Sequence, residues 1–171
     1  MPAQMESAAP AAVRVTISPV ADLGFCLFVV EKRATDPPRA QKWTQSWVTA
    51  LETDAPELAA SIRAFWNSRG YAEWAELSLI GDAAGVLFDD RATIDWPALE
   101  RAAGRNVEVG ALATEQPDVR KLMAERLREL REDAARRDGY FALLREFWAF
   151  LGPFWEREGR PAATRLESEV R

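Results

Sequence analysis

The sequence predicts a mostly α-helical, bundle-like domain with at most two or three short strands. Apolar residues recur every three or four positions through most of the 171 residues, which is the spacing of helices with one buried face. Hydrophobic residues make up 48% of the chain and include seven Trp and eight Phe, enough for one packed core. The strongest periodicity lies near the C-terminus and predicts a long helix or a helical hairpin there.

The chain divides into a tail and a single domain. Residues 1–12 are rich in Ala and Pro and are expected to form a flexible tail. Residues 13–17, VRVTI, alternate apolar and polar side chains and predict a short strand that opens the domain. The domain over 13–171 continues with N-terminal helices over 19–104, a long helical segment over 114–158 and the start of a further helix over 161–171.

The first helix is predicted over about Pro19–Arg33. Ser18 offers a hydroxyl to cap its first turn, and Pro19 stands where a missing N–H costs nothing. The single thiol, Cys26, lies in the apolar run LGFCLFVV. We therefore expect Cys26 to be a small buried hydrophobe and not a nucleophile.

Three more helices are predicted before residue 81. The second begins near Arg39, after the DPP break, and carries Trp43 and Trp47 on one stripe. The third follows Asp54 and carries Trp66, and a shorter fourth helix follows Gly70.

The segment between the fourth and fifth helices is less regular. VLF, at 86–88, predicts a strand or a buried loop. Asp95, followed by Trp96 and Pro97, predicts the start of a helix that runs to Gly104, because Asp is a favoured cap and Pro is tolerated in the first turn.

From Thr114 onward the apolar positions form one seam with alternating steps of four and three. This spacing predicts either one long packed helix or a helical hairpin that turns at Asp138-Gly139. The seam favours a helix inside the bundle, and the alternative is the interface of a homodimer. Its positions are 123, 127, 130, 134, 137, 141, 144, 148, 151 and 155, and only Arg137 interrupts their apolar character.

Five aromatic rings stand within nine positions of the stretch REFWAFLGPFWEREG, at 145–159. On a helical wheel these rings occupy one half-circle, so they form a face that meets at least two neighbours. Pro153 lies on the other half, where its missing N–H predicts a kink or a helix end near 149–152.

Eight aromatic residues are the candidates for an apolar pocket or an interface. Trp at helical spacing usually belongs to a core, but small-molecule sites in helical domains are also mostly apolar. Both interpretations stay open at this stage. The candidates are Trp43, Trp47, Trp66, Phe147, Trp148, Phe150, Phe154 and Trp155.

The composition argues against most catalytic and metal chemistry. The chain has no His and one Cys, so it lacks the residues of a Ser-His-Asp triad and of common zinc sites. We expect no catalytic residues, no metal and no cofactor, and hence no enzyme.

No apolar run approaches the length of a membrane span, and the start lacks a secretion signal, so we expect a cytoplasmic protein without membrane contact. The net charge of −5 disfavours direct DNA binding.

Two stretches resemble one known group of proteins. ISPVADL, at 17–23, and REFWAFLGPFWEREGRPAATRLESEV, at 145–170, are similar to the N-terminal region of ArsR-like winged-helix transcriptional regulators. The resemblance implies a mostly helical regulatory region that precedes a DNA-binding winged helix. No helix-turn-helix is recognisable up to Arg171, so DNA would be reached only through a winged helix that this chain lacks. Metal sensing is not implied, because Cys clusters and His are missing.

These observations predict a regulatory, dimerisation or effector-sensing module of a transcriptional regulator. Its expected partners are a second copy of the chain and an apolar small-molecule effector. An alternative is a stand-alone helical domain that binds an apolar small molecule or a protein. A carboxylate-dependent enzyme is a third interpretation, and it requires a cleft with an Asp or Glu of raised pKa.

Overall fold

The structure is a computed structural model that describes residues 18–33, 42–67, 73–88, 93–109 and 117–170. Its elements are α1 (Pro19–Arg33), α2 (Lys42–Asp54), α3 (Pro56–Asn67), α4 (Glu73–Ala83), α5 (Trp96–Ala103), α6 (Pro117–Glu132), α7 (Ala134–Phe154), a π-helical turn (Trp155–Gly159) and α8 (Arg160–Val170). The mostly helical fold class is confirmed, and the described residues contain no strand. The strand predicted over 13–17 lies outside the described residues.

The start of α1 is held from two sides. Ser18 is buried, and its Oγ accepts a hydrogen bond from the Ala21 N–H at 3.3 Å, as expected of a helix cap. The same hydroxyl donates to the carbonyl oxygen of Leu87, in the turn after α4. The capping residue therefore also ties α1 to α4, which is its main packing partner.

Residues 84–88 form a turn and not a strand, so the buried-loop alternative holds. Gly85 has φ of 71°, a left-handed conformation that favours glycine. The N–H groups of Val86 and Leu87 then donate to the Gly81 carbonyl at 2.9 and 3.0 Å, and both side chains are buried. Phe88 points outward instead.

Helix α5 begins and ends where the sequence predicts. The Asp95 carboxylate accepts the N–H of Ala98 at 3.0 Å, and the N–H of Gly104 donates to the Glu100 carbonyl at 3.1 Å. Leu99 is completely buried between these ends. Helix α5 packs on α4, α6 and α7 and so connects an N-terminal helix to the two long C-terminal helices.

The C-terminal segment contains a long helix, as one of the two alternatives predicted. The other alternative, a hairpin that turns at Asp138-Gly139, is wrong, because the segment is broken at Asp133. Asp133 is extended, with φ −109° and ψ 102°, and its carboxylate caps α7 by accepting the Arg136 N–H at 3.0 Å. Arg137 closes the end of α6, because its Nη1 donates to the carbonyls of Leu130 and Arg131 at 3.0 and 3.2 Å. Residues 138–139 lie inside α7.

Most apolar seam positions are buried within the chain. The exceptions are Ala134, which is exposed beside the break, and Trp148, which is half-buried. Helix α7 packs on α2, α3, α5 and α6, so its apolar face meets several neighbours, as the width of that face predicted. The buried seam positions are Met123, Leu127, Leu130, Phe141, Leu144, Leu151 and Trp155.

Pro153 does not end α7, so of the kink or helix end predicted near 149–152 the helix end is wrong. The helix continues to Phe154, and the irregularity follows the proline as a π-helical turn over Trp155–Gly159. The Arg160 N–H donates to the Trp155 carbonyl, five residues back. Helix α8 then continues to Val170 and packs chiefly on this turn.

The helices of the described part of the chain are too short or too polar to cross a bilayer.

Candidate functional site

The best-defined site is the place where α1, α2 and the end of α7 meet. We call it the aromatic junction and define it by Asp22, Trp47, Phe147, Trp148 and Trp155. Its rings come from α2, from α7 and from the first residue of the π-helical turn, and its carboxylate comes from the first turn of α1. The junction therefore joins the N-terminal helices to the π-helical turn that leads into α8.

Two ring pairs build the junction. Trp47 and Phe147 are fully buried and meet edge to face, with ring centroids 6.0 Å apart. Trp148 and Trp155 are tilted at 55° with centroids 5.7 Å apart. Trp155 is 1% exposed, although it begins the π-helical turn, whereas Trp148 lies at the edge of the core.

A polar bond crosses from α1 to this turn. The indole Nε1 of Trp155 donates to Oδ2 of Asp22 at 2.8 Å. A charged acceptor makes such a bond stronger than a bond between neutral groups. Because Trp155 is fixed both by its ring contacts and by this bond, the first residue of the turn has little freedom to shift.

Burial governs the ionisation of the α1 groups at the junction. It raises the pKa of the Asp22 carboxyl above its ordinary value, and the hydrogen bond from Trp155 offsets part of that rise. Cys26 lies one turn further along α1 and is fully buried, as predicted. Burial raises the pKa of its thiol well above the ordinary value, and the nearby Asp22 charge raises it further. The Cys26 thiol therefore stays protonated and unreactive at neutral pH.

Replacing Asp22 by Asn is expected to stabilise the protein at neutral pH. A carboxyl with a raised folded-state pKa contributes stability that is full below its unfolded pKa, about 3.9, and is lost as the pH rises through the folded value. Asn keeps an oxygen that accepts the Trp155 N–H but carries no charge. Urea denaturation should show nearly equal unfolding free energies at about pH 3.5 and a more stable variant at pH 7.

Asp138→Asn removes an exposed carboxylate from α7 and is the matched control, so it should leave the unfolding free energy at pH 7 nearly unchanged. A loss of stability at neutral pH in Asp22→Asn would mean that the charge itself holds Trp155 in place.

The π-helical turn is also attached to α2. Ser46 Oγ donates to Oε2 of Glu158 at 2.9 Å, and Oε1 of the same carboxylate accepts from Arg157. The Arg160 guanidinium lies over the Trp155 ring, 5.7 Å from its centroid. The turn is thus bound to both α1 and α2. Arg160, the first residue of α8, lies over the Trp155 ring at the start of the turn.

The structure separates the eight predicted residues into three groups. Trp47, Phe147 and Trp155 are core residues, and Trp148 borders them. Phe150 and Phe154 form a second, half-buried pair with centroids 5.5 Å apart, and Arg157 lies over Phe154. The side chains of Trp43 and Trp66 lie outside the described residues.

A buried ion pair was not anticipated from the sequence. Arg126 of α6 and Glu76 of α4 stand 3.2 Å apart, with side chains only 4% and 6% exposed. Arg126 stands three residues after Met123 and four before Leu130, so its position on the apolar side of α6 was a local signal that it is buried. The pair joins the two helices through the interior of the bundle.

Asp22 had a weak local signal that could have identified it. It stands four residues before Cys26, so it extends the buried stripe of α1 with a charged group. Its distance from Trp155, 133 positions along the chain, hides the partner. Ser46 and Glu158 had no comparable signal, because both are ordinary polar residues on helix surfaces.

The junction is suited to mechanical coupling more than to bond chemistry. Its one carboxylate is engaged by an indole and its thiol is buried and protonated. No group of three His, Cys, Asp or Glu residues within the described ranges lies close enough together to hold a metal ion. Comparison with known proteins finds no matching protein family, no matching curated protein and no matching solved structure.

Proposed function

We propose that this chain is a helical regulatory module that senses an apolar effector or a partner chain and transmits binding to α8. The observation that carries the proposal is the double attachment of the π-helical turn. Trp155 is bonded to Asp22 of α1, and Glu158 is bonded to Ser46 of α2. A rearrangement of α1 or α2 therefore acts directly on the turn from which α8 extends.

The type of turn supports this role. Single π-helical turns within α-helices occur frequently at functional sites. Such a turn holds one more residue per hydrogen-bonded ring than an α-helical turn, so a change to the α-helical pattern would rotate everything that follows it. Helix α8 would move with little disturbance of the core, because it packs chiefly on the turn.

The effector fits the chemistry of the half-buried rings. Trp148, Phe150 and Phe154 lie at the edge of the core, and an apolar molecule that covered them would remove further apolar surface from water. By linkage, a ligand shifts the helices only as far as it binds one arrangement better than the other. The resemblance to ArsR-like regulators suggests transcription regulation as the setting, with DNA contacted by a winged helix outside this chain.

The position of α8 can be measured with spin labels at two exposed sites, Gly139→Cys on α7 and Ser168→Cys on α8. Added Cβ atoms meet nothing within 4 Å at Gly139, and the native Cys26 is buried, so labelling should be confined to the new thiols. We expect one narrow distance distribution between the labels. Trp155→Phe, which removes the N–H donor but keeps a ring, should broaden it, whereas Trp148→Phe should not.

An apolar dye and a small-molecule library then test sensing. A compound that raises the melting temperature should also change the distance between the two labels. The proposal fails if no compound shifts either quantity and Trp155→Phe leaves the distribution unchanged.

A carboxylate-dependent enzyme is the second candidate, because burial raises the pKa of Asp22. Such an enzyme would need the Asp22 carboxyl to reach a substrate. Oδ2 already accepts the indole N–H of Trp155, a contact that suits positioning better than proton transfer. We therefore rank it below the regulatory role.

A further inference from the structure

Helix α8 presents an apolar face that the rest of the described chain covers incompletely. Leu166 is 55% exposed, and Ala162 and Ala163 are half-buried on the same side of the helix. We call these three residues the α8 face. The main neighbour of α8 among the described elements is the short π-helical turn at its own start, so no other described helix packs extensively on α8.

A second copy of the chain cannot use the predicted seam without opening the core. The large apolar residues of that seam, such as Phe141, Leu144 and Leu151, are completely buried within one chain. Exposing them would return large apolar surfaces to water, which opposes association through the seam. A homodimer therefore needs a different surface, and the α8 face is open.

The charges beside the α8 face favour a second copy in antiparallel orientation. Arg165 and Glu169 are both exposed, lie one turn apart and flank the same edge of the face. A two-fold axis near Leu166 brings the same edge of both helices together. Leu166 then meets Leu166 of the second copy, and each Arg165 lies opposite a Glu169.

We propose that the α8 face is a self-association surface, on which two copies pair through antiparallel α8 helices. The proposal rests on the regulatory role above, since it names the partner chain of that module. Two 11-residue helices are each about 16 Å long and bury less than the roughly 1,200 Å² of a standard stable interface. The dimer is therefore weak, and its population depends strongly on protein concentration and on salt.

Sedimentation equilibrium of the full chain up to about 1 mM tests the proposal, because weak complexes populate in this range. The apparent mass should rise toward twice that of one chain as concentration increases. Leu166→Glu should keep the protein monomeric. Arg165→Glu and Glu169→Arg should each weaken association at least tenfold, since each change places like charges opposite one another twice.

An equimolar mixture of Arg165→Glu and Glu169→Arg provides the decisive measurement. The mixed dimer again has opposite charges at both contacts, so association should return to the wild-type level. All these positions are exposed, and circular dichroism should confirm that each variant keeps its helices. A wild-type chain that stays monomeric at about 1 mM, or a mixture that stays monomeric, overturns the proposal.

Failure of the self-association proposal and failure of the proposed regulatory role would give different experimental results. Self-association is measured by mass, whereas the position of α8 relative to α7 is measured by spin labels in dilute monomer. A monomeric protein whose α8 still responds to Trp155→Phe would refute the dimer alone.

Discussion

Arg126→Met is expected to destabilise the protein by about 3–5 kcal/mol, the largest loss that we predict for a single polar residue. The Glu76 side chain is only 6% exposed, and the change removes the guanidinium that stands 3.2 Å from its carboxylate. A buried carboxylate that loses this guanidinium is less well compensated, whether it remains ionised in a poorly solvating interior or takes up a proton. Both outcomes cost folding free energy.

Exchanging both partners should recover most of this loss. Glu76→Leu together with Arg126→Met replaces the ion pair by apolar side chains of similar length, and such replacements range from neutral to about 1–4 kcal/mol stabilising. Urea denaturation of the wild type, both single variants and the double variant measures the coupling directly. A double variant as unstable as Arg126→Met would show that the pair is needed for packing and not merely tolerated.

Phe147→Ala is expected to cost about 3–5 kcal/mol, because it removes a fully enclosed ring and leaves a cavity beside Trp47. The ring sits where α2 meets α7, and the surrounding helices are attached to one another at several places, so the site cannot easily collapse. Chemical denaturation should show a lower midpoint with an unchanged slope.

Phe150→Ala is the matched control for this prediction. Phe150 lies three residues further along α7 and is half-buried, so its truncation creates no closed cavity and should cost much less. Equal losses for the two variants would contradict the assignment of Phe147 to the core and of Phe150 to its edge.

The helix ends with strong local signals were predictable. Ser18 with Pro19, and Asp95 with Pro97, start helices where the sequence placed them, because a capping side chain acts on backbone groups only two or three residues away. For the segment at 86–88 the sequence predicted either a strand or a loop, because a short apolar run has no period that separates the two.

The C-terminal segment shows where a local signal was misread. Asp138-Gly139 looked like a turn, but both residues continue α7, and the break lies at Asp133. Asp133 stands four residues before Arg137, a spacing that also fits a charge pair within one helix. In the structure its carboxylate caps α7, while Arg137 closes the end of α6. Both residues could serve either role, and the packing of α6 and α7 on α5 selects between them.

The aromatic candidates were only partly resolved by periodicity. A helical wheel correctly placed the rings of α7 on one face, but it could not separate Phe147, which is enclosed, from Phe150, which is half-buried. That difference depends on how far neighbouring helices extend over each position. The wheel contains no information about neighbours.

The sequence by itself determined the helical class of this protein and which side of each long helix is apolar, because both follow from the spacing of residues a few positions apart. Only the tertiary structure decided that Trp155 reaches Asp22, that Arg126 reaches Glu76 and that Leu166 remains exposed. These outcomes depend on the angles and offsets at which distant helices cross. Those angles follow from the packing of the whole core, and no single stretch of residues encodes them.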